Sequence, residues 1–182
     1  RYRTIVVGNT FLLTDATINT ITTWLRDKPN LLIVHPWLLT GENSGVATTA
    51  NLDGKLTLSW PWKGEITVTK VEKPQASKNL ELQGVAPLKL QQGSIAARYN
   101  GDGFKPLWQH NGETVTALWR KPGFAGAVIF DGMNNCSSEY LDALRTQINA
   151  LAAEGIGLAL PETAYAAFGQ EEAISAVATT PI

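Results

Sequence analysis

The sequence predicts an α/β fold: a parallel sheet flanked by helices, with a β-rich insert in its middle. Three observations predict it. A strand, a helix and a second strand follow one another within the first 34 residues, a strand and an amphipathic helix return between 127 and 151, and two-residue alternation fills the stretch between. The whole chain, 1–182, is then one α/β domain with an insert at about 53–120.

The opening run Tyr2-Arg3-Thr4-Ile5-Val6-Val7 ends at Gly8-Asn9 and reads as a buried strand with a turn. Thr14 then suits an N-cap, Asp15 complements the first turn, and Ile18, Ile21 and Leu25 repeat at helical spacing until Lys28-Pro29-Asn30. Leu31-Leu32-Ile33-Val34 is apolar throughout, as a parallel strand covered on both faces should be. From Asp53 to Arg120 apolar residues alternate: Leu56, Leu58 and Trp60, then Ile66 and Val68, then Val115, Ala117 and Trp119. Asn111-Gly112 marks a two-residue hairpin between 104–109 and 114–119, because both positions tolerate positive φ. The stretch from Val71 to Gly93 reads as a connection or as edge strands. Ala127-Val128-Ile129-Phe130 is the next buried strand, followed by a helix capped by Ser137 or Ser138 whose stripe is Leu141, Leu144, Ile148 and Leu151. Residues 156–160 read as a last short strand.

Composition narrows the function classes. With 15 Lys plus Arg against 16 Asp plus Glu, the net charge is −1, which opposes nucleic-acid binding. Hydrophobic residues at 44% supply a core, no run is long enough to insert in a membrane, and one cysteine excludes an internal disulfide framework. The start at Arg1 reads as an excised domain or a processed product. No nucleotide, zinc-peptidase or serine-hydrolase motif occurs, so no cofactor and no metal are expected.

In open α/β sheets ligands gather beyond the carboxyl ends of the parallel strands. That edge places 8–10, 35–44 and 131–136 together, making Cys136, His35, Glu42 and Asp131 the candidates for catalysis. Cys136 before a helix has the setting of a lowered thiol pKa, and Glu42 with Asp131 has the composition of a two-carboxylate glycosidase pair. Against these stand ordinary roles: a buried cysteine, a solvated glutamate, a capping aspartate and a structural histidine. Asn135-Cys136-Ser137 also matches the glycosylation triplet. For ligand binding the candidates are Trp37, Glu42, Asn43, Trp60 and Trp62; Trp60-Pro61-Trp62 sets two rigid indoles around a proline, suited to a sugar's C–H face.

Four segments, 2–15 with its Leu12-Leu13-Thr14-Asp15 entry, the helix to Leu25, Leu31-Leu32-Ile33-Val34 and the turn and strand 121–130, resemble a known family. It is the glutamine-amidotransferase-like module, or trimerisation domain, that follows the catalytic barrel in many β-galactosidases. Here Lys28-Pro29-Asn30 replaces that family's Gly-Gly turn, and Gly123-Phe124-Ala125-Gly126 its Gly-x-Gly. The resemblance covers about half the chain and implies a flavodoxin-like, class I glutamine-amidotransferase-like sheet. It also implies a lost amidotransferase nucleophile and a role in oligomerisation or in framing a neighbouring domain's cleft.

Three functions follow as expectations. The first is a non-catalytic accessory or oligomerisation module of a larger carbohydrate-active protein, whose partners are a neighbouring domain or a homo-oligomer. The second is a carbohydrate-binding module using exposed tryptophans, and the third an amidotransferase-like or hydrolase-like enzyme with Cys136. The compartment is open, a periplasmic or secreted one following only from a carbohydrate-active parent.

Overall fold

The computed structural model describes residues 2–7, 15–34, 65–71, 74–101, 103–134, 136–160 and 175–178. Among them are eleven strands: β1 (Tyr2–Val7), β2 (Leu31–Val34), β3 (Ile66–Lys70), β4 (Ser77–Gly84), β5 (Leu88–Ile95), β6 (Ala97–Gly101), β7 (Phe104–His110), β8 (Glu113–Trp119), β9 (Ala127–Asp131), β10 (Met133–Asn134) and β11 (Ser175–Ala178). The two helices are α1 (Asp15–Asp27) and α2 (Ser138–Ala153). Neither is long and apolar enough to cross a membrane.

Hydrogen bonding links the strands in the order β11-β1-β2-β9-β8-β7-β4-β5-β10, with β6 also on β8 and β3 on β6. Only β1–β2 and β2–β9 are parallel; every other pair is antiparallel. The expected flavodoxin-like parallel sheet with flanking helices is therefore corrected to a β-rich, mixed sheet. The physical reason lies at both edges of the parallel trio. On one side β8 hydrogen-bonds directly to β9, Thr116 opposite Asp131 and Trp119 opposite Val128, so the presumed insert continues the sheet. On the other side β11 returns antiparallel onto β1. Residues 156–160 form no strand, since Leu158 N donates to Thr4 Oγ1 and Leu160 N to the side chain of Asn149.

Alternation along the parallel strands separates two apolar layers. Leu32, Val34, Val128 and Phe130 join Ile18, Ile21 and Leu25 of α1, whereas Leu31, Ile33, Ala127 and Ile129 join Leu144, Ile148 and Leu151 of α2. These strands are apolar at successive positions because both faces are covered. The α2 stripe is completed by Tyr140, which is buried, whereas Leu141 is only partly so. Ser137 is the N-cap residue, but its side chain makes no capping hydrogen bond.

The Asn111-Gly112 turn joins β7 and β8 as expected, with φ of 52° and 81°. These values match the primed turn that suits the right-handed twist of a hairpin. The 71–93 stretch contains β4 and most of β5, paired from Ser77–Gly93 to Leu82–Leu88. Leu80, Leu82 and Leu90 from this hairpin enter the α2 layer with Trp108 and Tyr140.

Candidate functional site

The parallel strands end at Val7, Val34 and Asp131, which defines the edge where sequence reasoning placed a site. Of its candidates, Asp131 and Cys136 are described. His35, Trp37, Glu42, Asn43, Trp60 and Trp62 lie outside the described residues, as does the expected strand through Leu56 and Leu58.

Asp131 is buried at the end of β9. Its Oδ1 accepts the Tyr140 hydroxyl at 2.6 Å and the Met133 backbone N–H at 3.0 Å. Tyr140 Oη also lies 2.7 Å from Thr116 Oγ1. Tyr140 has one hydroxyl proton and gives it to Asp131, so Thr116 is the donor to Tyr140. This chain of donors ties β8, β9 and the first turn of α2 together. Burial, and secondarily the Asp131 charge, hold the Tyr140 hydroxyl well above the usual tyrosine pKa.

Tyr99 of β6 packs its ring 5.5 Å from that of Phe130. Its hydroxyl is buried without a hydrogen-bond partner among the described residues, and burial followed by the Asp131 charge raises its pKa. The two tyrosines make opposite predictions. Tyr140→Phe removes a donor from a buried carboxylate and should cost about 1–3 kcal/mol in urea unfolding. Tyr99→Phe removes an unsatisfied hydroxyl, so stability should stay within about 0.5 kcal/mol or rise.

Cys136 stands two residues before α2, with Sγ 3.6 Å from the Asn134 carbonyl, which also accepts Ser94 Oγ at 3.0 Å. Burial pushes the thiol pKa up, and the Asp131 charge pushes it further. The nucleophilic form, the thiolate, is thereby disfavoured despite the nearby helix N-terminus. His110, the one described histidine, is held at the β7–β8 hairpin, Nδ1 3.1 Å from the Glu81 carbonyl. Among the described residues no three His, Cys, Asp or Glu side chains cluster as metal ligands would.

The raised Cys136 pKa carries a pH dependence. The unfolded thiol ionises first, near pH 8.5, so the stabilising contribution is whole below that pH and is lost as pH climbs towards the folded value. A thiol reagent at pH 8 should label Cys136 far more slowly in the native chain than in urea. Equal rates would show an accessible thiolate instead.

Tyr140, Thr116 and Tyr99 were not recognised as members of this cluster from sequence. A signal for Tyr140 existed, since it stands four residues before Leu144 on the buried stripe. Nothing comparable marks Thr116 or Tyr99, which reach the edge through strand pairing.

A mixed-sheet domain with one helix layer on each face is the class these elements define. No protein-family model and no curated protein matches the sequence. Solved structures do match the fold. One is a β-galactosidase from Bacillus circulans sp. alkalophilus, with TM-score 0.54 and 12% identity over 87% of this chain and 23% of that one. Another is Gan42B, a GH42 β-galactosidase from G. stearothermophilus, with TM-score 0.53 and 8% identity over 88% of this chain and 22% of that one. The chain thus spans less than a quarter of the length of these proteins. At such identities the likeness is one of fold. It supports the β-galactosidase side of the resemblance at that level and does not extend to the amidotransferase-like assignment.

Proposed function

We propose that this chain is a non-catalytic accessory domain of a larger carbohydrate-active protein, packing against a neighbouring domain or a second copy of itself. The observation that carries the reading is the fold shared with a minor part of β-galactosidase chains. The edge chemistry supports its non-catalytic half. The Asp131 carboxylate receives the Tyr140 and Met133 donors, and the Cys136 thiol is held protonated. Groups engaged in this way hold strands and helix together.

The purified chain should release no nitrophenol from aryl β-galactosides and no ammonia from glutamine. Turnover abolished by Cys136→Ser or Asp131→Asn would overturn the non-catalytic reading. The source DNA upstream of Arg1 tests the other half: an encoded catalytic barrel supports a carbohydrate-active parent, and an unrelated domain there removes it.

A further inference from the structure

A second region lies away from the carboxyl edge, between strands β7 and β8 and the C-terminal half of α2. It is a cleft of about 360 Å³. This volume falls at the lower end of the roughly 300–1,000 Å³ range of small-ligand sites. Its floor is apolar, with Leu107 and Leu151 buried and Leu118 half-buried. β7 contributes Lys105 to its walls and the residue after β8 Arg120, while α2 contributes Gln147 and its C-cap Glu154. Lys105 pairs with Leu118 in register, and the register shift between Pro106 and Trp108 interrupts the alternation of β7, so that Leu107 and Trp108 are both buried in the α2 layer.

The wall chemistry is mixed. Lys105, Arg120 and the Gln147 amide donate, whereas Glu154 and the Gln147 carbonyl accept. Arg120 Nη2 lies 2.6 Å from Glu154 Oε2, an ion pair that bridges sheet and helix at the rim. Gly103 also lines the cleft, and a Cβ there would meet nothing within 4 Å. Donors and acceptors standing over an apolar floor match a pyranose ring, whose hydroxyls project around an apolar C–H face.

We infer that this cleft binds a neutral saccharide, one or two pyranose rings long. The choice of ligand class rests on the carbohydrate-active reading above; the location rests on the cleft itself. The rings lie against Leu107, Leu118 and Leu151, with hydroxyls bonded to Gln147 and to the Arg120–Glu154 pair. Among the described residues no aromatic side chain lines the cleft, so binding is weak, with Kd in the millimolar range.

The test is an amide-resolved NMR titration of the whole chain with lactose and galactose, using sodium acetate as a carboxylate control. Saturable shifts are expected at Lys105–Leu107, Leu118–Arg120 and Gln147–Glu154 with sugar only. Gln147→Ala should weaken binding about fivefold through a lost hydrogen bond. Ala150→Phe fills the cleft from an exposed helix position and should abolish the shifts while leaving the remaining spectrum unchanged. Shifts that grow linearly, map elsewhere, survive Ala150→Phe or appear only with acetate overturn the site. Its loss would leave the accessory-domain reading standing, because turnover and the upstream gene decide that separately.

Discussion

Trp108→Ala should cost about 3–5 kcal/mol, the usual penalty for emptying a buried indole site. Trp108 is fully buried on β7, its ring 5.5 Å from that of Tyr140 and its Nε1–H donating to the Ala86 carbonyl at 2.9 Å. It thus joins three elements: its own strand, helix α2 and the turn between β4 and β5. Truncation opens a cavity in the α2 layer and leaves the Ala86 carbonyl without that donor. A domain of this kind is commonly stable by only about 5–15 kcal/mol, so the urea midpoint should fall steeply. Trp108→Phe keeps most of the ring volume and should lose distinctly less. Equal losses for the two variants would place the energy in the hydrogen bond rather than in packing.

Gly132→Ala should destabilise by about 3 kcal/mol or more, at or beyond the upper end of ordinary overpacking. Gly132 follows β9 where β6 and β8 converge. Its N–H donates to the Val115 carbonyl at 2.8 Å, and its own carbonyl accepts Ala96 N–H at 2.8 Å and Ala97 N–H at 3.1 Å. A Cβ would stand 2.3 Å from the Ala97 carbonyl oxygen and 2.5 Å from that of Val115. Both obstacles are main-chain atoms of paired strands, so no rotamer change relieves them. The strands must move, taking the neighbouring Asp131 and its bond to Tyr140 with them. Thermal unfolding reads the effect, and hydrogen exchange should show early loss of protection at Ala96 and Ala97. A variant melting within about 2 °C of the parent would mean that the junction yields easily.

Both residues are inconspicuous in the sequence. Trp108 is one of six tryptophans, and Gly132 resembles the end of a turn after a strand. What makes each costly to replace is a neighbour brought in from elsewhere: Tyr140 for one, Ala97 and Val115 for the other. Asp131 shows the same division at the candidate site. Its position at a strand end was legible, while its hydrogen bond to Tyr140 depends on how α2 packs.

The sequence by itself determined the local elements. Ile18, Ile21 and Leu25 specify a helix by their spacing, Leu31-Leu32-Ile33-Val34 a strand covered twice, and Asn111-Gly112 a hairpin turn by its tolerance of positive φ. The helix and the turn depend on residues close in sequence, whereas the strand's apolar run announces a double cover that α1 and α2 supply. Only the tertiary structure decided the fold class and the buried cluster. A strand's side chains report which faces are buried, but its edges are identical N–H and C=O groups whatever partner they take. So the apolar run 127–130 announced a buried strand without revealing that β8 would pair with it antiparallel. That pairing turned a parallel α/β expectation into a mixed, β-rich sheet.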